Sequence, residues 1–227
     1  MSSLRFLPLI AAPLVVALSV QVAAYACPCS EIPKPDPKQR TSGKVTQDAI
    51  AFTKTAQYRK EFAAAIAGAR QAVSDHATEA KPAVVADIDE TILDNREEFE
   101  THPDFKWSEF DQWINKADAP TLKQTADFLA WARKQGCAVF LITGRPEPDR
   151  AATIQNLVRR GIAYDGLFMR PGAEMKGLAE DIKSQWRKHI EDMGFRIVTN
   201  IGDQYSDLYG GYSLDCEKLP NKMYYIP

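Results

Sequence analysis

Histidine is scarce in this chain, and the short motifs of several large enzyme classes are missing. The 227 residues include three histidines, His76, His102 and His189, with no motif spacing among them. This argues against an enzyme with a histidine nucleophile and against a histidine-rich dinuclear metal site. The sequence has no glycine-rich phosphate loop of the nucleoside triphosphatase kind. It also has no nucleophile elbow of a Ser-His-Asp hydrolase.

Long hydrophobic runs and an excess of either charge are missing as well. The apolar stretch from Phe6 to Val20 is short, contains two prolines and leads to the small-x-small sequence Ala24-Tyr25-Ala26. It predicts a secretory signal peptide over residues 1–26, with no transmembrane segment once that peptide is removed. The formal net charge is −2, from 28 basic and 30 acidic residues. This balance does not indicate electrostatic binding to a nucleic acid polymer or an anionic membrane.

Cysteine is also rare, and its role is left open by the sequence. Removal of residues 1–26 would leave Cys27 first, where lipid attachment is the alternative to an unanchored protein. The residues before Cys27 make a poor lipoprotein signal, so we expect an exported protein without an anchor, periplasmic or secreted. Export permits disulfides. Three pairings are possible among the four cysteines, which are Cys27, Cys29, Cys137 and Cys216.

An acidic cluster follows a short apolar segment near the middle of the chain. Ala83–Ala86 predicts a buried strand, and the sequence Asp87-Ile88-Asp89-Glu90-Thr91 follows it. Acids at the carboxyl end of a strand lie where open α/β sheets bind their ligands. Asp87 and Asp89 would point to the same side of an extended chain, and a divalent cation or a shared proton would relieve their repulsion. The pattern suits a hard metal ion, a carboxylate nucleophile and a neighbouring acid or base.

Two further predicted strands end in polar groups. One strand stops at Thr143-Gly144, and another stops at Gly202-Asp203, with Asp207 four residues later. Threonine and glycine at a strand end can offer neutral hydrogen-bond donors to a phosphoryl group. Aspartate at a strand end can bind a metal ion or cap the next helix.

The rest of the chain alternates between predicted helices and strands. Apolar spacing predicts one helix from Val45 to Ala80, and three later helices that close at Gly136, Gly161 and Gly194. A short strand is predicted at Gly166–Met169. This order predicts an α/β fold with a doubly wound, Rossmann-like parallel sheet and helices on both faces. About 200 residues without a linker predict a single domain over residues 27–227.

The motifs, taken in this order, resemble the haloacid dehalogenase (HAD) superfamily of phosphohydrolases. The matching segments are Asp87–Thr91, Thr143-Gly144, Lys183–Arg187 and Gly202–Asp207. The resemblance runs from about residue 83 to the C-terminus. It is closest to the acid phosphatase branch, which includes bacterial class C enzymes, plant acid phosphatases and vegetative storage proteins. The ending Lys218–Pro227 looks like the plant type.

The resemblance implies roles for the residues of the first motif. Asp87 would be the nucleophile that forms an aspartyl-phosphate. Asp89 would protonate the leaving group and later deprotonate the attacking water. Thr91 would tune Asp89 through a hydrogen bond or simply cap the loop, and we expect Glu90 to face the loop exterior.

The resemblance also implies how phosphate and metal would be bound. Thr143, Gly144 and Lys183 would bind the substrate phosphate, with Lys176 as the alternative lysine. Arg145 would extend the anion-binding field or lie on the helix surface, and Arg187 would be a surface charge or a brace for the acidic site.

The implied cofactor is Mg²⁺. Its ligands would be the Asp87 and Asp203 side chains and the Asp89 backbone carbonyl, because magnesium needs few protein ligands and keeps several waters. Asp207 would hold a metal-bound water from the second shell. A solvated helix surface is the alternative position for Asp207.

The function implied is an exported acid phosphatase that hydrolyses small-molecule phosphomonoesters. A non-catalytic storage or binding protein on the same fold, and a phosphotransferase, are the alternatives. The insertion at about residues 96–119 corresponds to a small helical cap, whose aromatics stack on the leaving group in class C enzymes. Trp107, Phe110 and Trp113 step by three, and we expect them to pack in the core instead. The natural substrate and the oligomeric state are left open.

Overall fold

Five parallel strands form the centre of the fold. The computed structural model describes residues 47–172 and 177–226. The strands are β1 (Pro82–Ala86), β2 (Ala138–Pro146), β3 (Gly166–Arg170), β4 (Arg196–Gly202) and β5 (Cys216–Lys218). They lie in the order β3-β2-β1-β4-β5, and each neighbouring pair is parallel. The strand order reverses at central β1, where doubly wound sheets place their ligand crevice.

The helices connect these strands and cover both faces of the sheet. They are α1 (Gln47–Thr53), α2 (Ala56–Asp75), α3 (Arg96–Thr101), α4 (Trp107–Lys116), α5 (Lys123–Lys134), α6 (Arg150–Arg159), α7 (Ala179–Asp192) and α8 (Tyr205–Leu208). A 3₁₀ turn, Glu147–Asp149, precedes α6. The predicted doubly wound α/β fold is confirmed, and the predicted insertion after β1 contains α3 and α4.

The alternation of side chains along β1 separates two hydrophobic cores. Val84 and Ala86 face the larger core, which includes buried side chains of α2 and α5 such as Phe62 and Phe128. Val85 faces the smaller core, together with Ala83 and with Ile190 of α7. Burial on both faces explains why this strand is a continuous apolar run.

Three elements differ from the sequence prediction. The prediction of a single helix from Val45 to Ala80 is wrong, because this segment forms two helices, α1 and α2. The Thr55 hydroxyl accepts a hydrogen bond from the Tyr58 N–H (3.1 Å) and so caps the start of α2. Strand β2 continues past Thr143 to Pro146, which pairs with Arg170 of β3. Strand β5, only three residues long, was not predicted.

Several predictions concern residues outside the described ranges or outside the sheet. The predicted signal peptide, Cys27, Cys29 and Lys176 lie outside the described residues. Cys137 is a buried free thiol, and Cys216 is disulfide-bonded. Within residues 47–172 and 177–226, no helix has the length and apolar character that a membrane crossing requires.

Candidate active site

Asp87 lies where the central strand ends. Its backbone N–H donates to the carbonyl of Ile201 in β4 (3.0 Å), so sheet pairing continues up to this residue. The N–H groups of Ile92 and Leu93 then both donate to the Ile88 carbonyl at 2.8 Å, which turns the chain sharply. Asp87 is 5% exposed. The strand therefore holds a buried carboxylate at the carboxyl edge of the sheet.

Three buried carboxylates meet at this edge. Asp87, Asp203 and Asp207 each place an oxygen within 4.8 Å of the others. Asp203 follows β4 directly, and Asp207 belongs to the short helix α8. From the opposite side, α7 presents Lys183, whose Nζ donates to Asp87 Oδ1 (2.7 Å) and to Asp207 Oδ1.

The charges in this cluster do not balance. Burial, and next the charge of Asp207, raise the pKa of Asp87 well above its ordinary value, although Lys183 acts in the opposite direction. The same two causes raise the pKa of Asp203 to about 6. Burial favours a neutral Lys183, but Asp207 and Asp87 outweigh burial and raise its pKa. Three ionised carboxylates outnumber the two cations that act on them, Lys183 and Lys218, so negative charge is in excess.

That excess fits a divalent cation. Carboxylate oxygens are the ligands that Mg²⁺ prefers, and a cation among Asp87, Asp203 and Asp207 would favour their ionised forms. Asp207 is 3% exposed, so the alternative of a solvated helix surface is wrong for it. Its carboxylate oxygen belongs to the same cluster as those of Asp87 and Asp203.

Asp89 is held by a buried arginine. Arg145 donates from Nη2 to Asp89 Oδ1 (2.7 Å) and from Nε to both oxygens (3.1 Å each), while its Nη1 donates to Thr153 Oγ1 (3.2 Å). The arginine is 2% exposed. The alternative of a surface cation on the following helix is therefore wrong, because the longer β2 keeps Arg145 inside the fold. Asn95 Nδ2 adds a second donor to Asp89 (2.9 Å).

The strand end at Thr143 contributes polar groups to the same place. Thr143 is buried, and its hydroxyl accepts from the Arg145 N–H (3.1 Å). Thr143 and Gly144 line the cavity that also contains Asp87, Asp89 and Lys183. The structure thus brings the catalytic, phosphate and metal residues named from the sequence to one site.

Two residues of the first motif differ from expectation. Glu90 is buried rather than facing the loop exterior, with φ 54°. Its carboxylate accepts from the Asn95 N–H (3.0 Å) and from the Tyr224 hydroxyl. Thr91 donates to Asp203 Oδ1 (3.3 Å) and not to Asp89. It therefore bridges two loops instead of tuning its neighbour.

Arg187 braces the loop that follows β4. Fully buried, it donates to the backbone carbonyls of Asp207 (2.6 Å), Gly211 (2.8 Å) and Tyr209. Its alternative interpretation as a surface charge is therefore wrong.

Aromatic side chains wall the cavity above the acids. The cavity has a volume of about 290 Å³, and part of its wall is formed by Phe99, Phe105, Trp107 and Phe110 of the insertion. The prediction of core packing is correct for Trp113, which is buried and donates from Nε1 to Asn95 Oδ1 (2.8 Å). It is wrong for Trp107, which is 58% exposed at the cavity. Phe110 is both buried and part of the wall.

The C-terminal segment forms another part of the wall, which sequence analysis missed. Met223, Tyr224, Tyr225 and Ile226 line the cavity. Arg170, at the end of β3, lines it as well. No local pattern identified these residues, because their contacts join parts of the chain far apart in sequence.

Comparisons with known proteins agree with this geometry. The family described as HAD superfamily, subfamily IIIB (Acid phosphatase), matches residues 25–227. Acid phosphatase 1 of Solanum lycopersicum is 38% identical over 148 residues, which are 63% of this chain and 58% of that protein. Vegetative storage protein 1 of Arabidopsis thaliana is 27% identical over 154 residues, 63% of this chain and 55% of that protein. The matched region spans a little over half the length of these relatives.

A solved structure shares the fold. The class C acid phosphatase from Bacillus anthracis superimposes with a TM-score of 0.67 at 24% identity. The match covers 78% of this chain and 84% of that chain.

Proposed function

The chain belongs to the HAD superfamily, subfamily IIIB (acid phosphatase), and on this premise we propose that it is an exported, magnesium-dependent phosphomonoesterase. The observation that carries the proposal is the buried cluster of Asp87, Asp203, Asp207 and Lys183 at an apolar cavity. Asp89 lines the same cavity and forms an ion pair with Arg145. This arrangement supplies a nucleophile, an acid and counter-charges within one site.

The first chemical step is phosphoryl transfer to Asp87. A carboxylate oxygen of Asp87 attacks phosphorus opposite the ester oxygen, so that a new P–O bond forms while the ester P–O bond breaks. The protonated carboxyl of Asp89 gives its proton to the departing alkoxide. The products of this step are an alcohol and an aspartyl-phosphate.

The second step returns the enzyme to its starting state. Asp89, now ionised, takes a proton from a water molecule as that water attacks phosphorus of the aspartyl-phosphate. The bond between phosphorus and Asp87 breaks, and inorganic phosphate leaves. Arg145 holds Asp89 in one orientation through both steps, because its Nη2 donates to Oδ1 (2.7 Å). The other oxygen, Oδ2, has the longer contact with Nε (3.1 Å) and carries the transferred proton.

Phosphate binding is assigned to residues around the nucleophile. Lys183, Thr143 and Gly144 line the cavity. The ammonium, the hydroxyl and the backbone N–H of these residues would contact the phosphoryl oxygens. Mg²⁺, when held by Asp87, Asp203 and the Asp89 carbonyl with Asp207 beside them, would neutralise charge on those oxygens.

The cavity walls favour small substrates with an apolar ring. The aromatic side chains of the insertion and of the C-terminal segment enclose space for a leaving group of this kind. We expect kcat/KM for aryl or nucleoside phosphates to exceed that for glycerol 2-phosphate. Equal values would argue against the walls as the source of selectivity.

The experiment that tests the function is hydrolysis of 4-nitrophenyl phosphate by the chain from Cys27. It would be measured from about pH 4 to 8, with Mg²⁺ or EDTA, for the unaltered protein, Asp87→Asn and the control Asp127→Asn. Asp127 is exposed on α5 and pairs with Lys123, so its substitution should leave turnover unchanged. Magnesium-dependent turnover that only Asp87→Asn abolishes supports the mechanism.

The other outcomes favour the alternatives. A folded protein without turnover at any pH supports a storage role, as the name of the Arabidopsis relative suggests for that protein. Phosphorylated glycerol formed in the presence of glycerol supports phosphotransfer, because an alcohol would then replace water in the second step.

Export rests on separate observations. The signal-like sequence of residues 1–26 and the disulfide at Cys216 support it, because disulfides persist in oxidising compartments. The mass of the mature chain tests this: cleavage after Ala26 supports export without an anchor, and a lipid adduct on Cys27 supports the lipoprotein alternative.

A further inference from the structure

The C-terminal segment reaches the carboxylate of Asp203. Asn221 Nδ2 donates to Asp203 Oδ2 at 2.6 Å, and Gln204 Nε2 donates to the same oxygen at 2.5 Å. Two amide donors therefore occupy Oδ2, which leaves Oδ1 directed to the Thr91 hydroxyl (3.3 Å). Both donors are neutral, so they fix the orientation of the carboxylate without neutralising its charge.

The same segment holds Gln204 in place. The Ile226 N–H donates to Gln204 Oε1 (2.9 Å), and Gln204 Nε2 also donates to the Tyr224 carbonyl (3.4 Å). The side-chain amide of Gln204 is thereby held at both ends. Asn221 is fixed in turn, because its Oδ1 accepts from the Met223 N–H (2.7 Å).

A second contact joins the segment to the loop after β1. The Tyr224 hydroxyl donates to Glu90 Oε2, and the other Glu90 oxygen accepts from the Asn95 N–H (3.0 Å). Glu90 has a left-handed backbone, φ 54°, directly after Asp89. A non-glycine residue in this conformation needs support from its surroundings. The ring of Tyr224 packs against the ring of Phe99 (centroids 5.5 Å apart, tilted by 50°), so Tyr224 is a well-positioned hydrogen-bond donor for Glu90.

The segment is itself anchored to the fold on the N-terminal side. Leu219 and Met223 are buried in the larger core, and the Leu219 N–H donates to the carbonyl of Gly202 (2.9 Å). A segment anchored in this way can hold the loops that it contacts in one conformation.

We propose that residues 221–226 form a strap that positions the active site, with Asn221 and Tyr224 as positioning residues. Asn221 orients the Asp203 carboxylate for the metal ion, and Tyr224 fixes the loop that carries Asp89. The inference rests on the function proposed above, and neither residue takes part in bond making or breaking.

The test uses three substitutions in the strap. Asn221→Leu removes the donor to Asp203, and Tyr224→Phe removes only the hydroxyl that contacts Glu90. Lys222→Gln is the matched control, because this exposed side chain lies over the ring of Phe52 (3.8 Å) and not at the cavity. Titration calorimetry of the EDTA-treated chain gives the Mg²⁺ affinity, and 4-nitrophenyl phosphate hydrolysis gives kcat and KM.

The proposed positioning role predicts a different result for each variant. Asn221→Leu should weaken Mg²⁺ binding by about 10- to 100-fold, as loss of a residue that orients a metal ligand does. Tyr224→Phe should lower kcat by about 10-fold with KM nearly unchanged, because it disturbs the group that acts in the transition state. Lys222→Gln should change neither quantity. If Asn221→Leu does not fold, Asn221→Ala, which admits water, replaces it.

Three results would overturn the inference. The first is unchanged Mg²⁺ affinity in the folded Asn221 variant, and the second is no Mg²⁺ binding by the unaltered chain. The third is an equal loss in all three variants, since that would reflect general destabilisation. A chain whose Mg²⁺ affinity falls when Asn221 is replaced, but which shows no turnover, would contradict the proposed function and leave the strap supported.

Discussion

Arg145 offers the sharpest test of how the acid Asp89 is controlled. Arg145→Lys keeps the positive charge but replaces a planar fork by a single ammonium, which cannot contact both Asp89 oxygens and Thr153 in the same way. A hydrogen bond to a charged group contributes about 1.5–3 kcal/mol. Asp89 is partly exposed, so water replaces some of the lost contact. We therefore expect Arg145→Lys to lose the equivalent of one such bond, which corresponds to a fall in kcat/KM of roughly 10- to 100-fold.

The chain contains a matched control for this substitution. Arg150 makes a similar fork with Glu147, from Nε at 2.7 Å and Nη2 at 2.6 Å, but both side chains are about 40% exposed. Surface pairs of this kind contribute about 0–1 kcal/mol. Arg150→Lys should therefore leave kcat/KM within about threefold of the unaltered protein.

The assay is 4-nitrophenyl phosphate hydrolysis with thermal unfolding of each variant. Arg145→Lys with near-normal kcat/KM would refute the reasoning, and so would an equal loss in Arg150→Lys. A folded Arg145→Lys variant with low kcat would show that the shape of the guanidinium matters beyond its charge.

Two further predictions concern packing and pH. Gly202→Ala should destabilise the fold by about 1–3 kcal/mol and lower activity, because the added Cβ would overlap Cβ of Asp207. The control Gly144→Ala should keep the stability of the unaltered protein, because a Cβ at this position meets nothing within 4 Å. Equal urea midpoints for the two variants would contradict this. Burial, and next Asp215, raise the pKa of Glu217 from 4.5 to about 7, so the folded state holds this proton more tightly than the unfolded chain does. Its stabilising contribution is therefore greatest below pH 4.5 and declines as pH rises to about 7, by about 1–2 kcal/mol after allowance for partial exposure. Urea unfolding at pH 5 and pH 8 should show a smaller decline in Glu217→Gln than in the unaltered protein, because the titration of other buried carboxyl groups, such as Asp87 and Asp203, remains in the variant. Equal declines in the two proteins would count against this.

The sheet could be predicted because its determinants are local. β1, β2 and β4 contain apolar runs that lead to Asp87, Thr143 and Gly202-Asp203, and parallel strands place these positions at one edge. The order of the motifs therefore led to the right fold and to a set of residues that the structure brings together. Their roles in catalysis stay predictions until turnover is measured.

The parts that sequence analysis missed depend on distant contacts. Arg145 is buried because β2 continues to Pro146, and that extension depends on pairing with β3. Glu90 is buried by Tyr224, which lies 134 residues away in the sequence. An isolated glutamate in a loop and a tyrosine near the C-terminus carry no local pattern that would join them.

The buried charges give a physical reason to prefer an enzyme to a storage protein, and stability measurements can test it. Removing charged groups from water costs several kcal/mol per ion, and apolar replacements are often neutral or stabilising. A protein with only a storage role gains nothing from Asp87, whose pKa is raised by burial and then by Asp207. Above its raised pKa, this ionised carboxylate weakens the metal-free fold.

Asp87→Asn should remove that penalty while keeping an oxygen for Lys183. At pH 8 without Mg²⁺, we expect its free energy of unfolding to equal or exceed that of the unaltered chain, although its turnover is lost. With Mg²⁺ the order should reverse, because the ion stabilises the protein that binds it more tightly. Urea unfolding with and without Mg²⁺ measures both quantities. A metal-free Asp87→Asn variant that is several kcal/mol less stable would mean that the carboxylate supports the fold, and the argument for catalysis from buried charge would then fail.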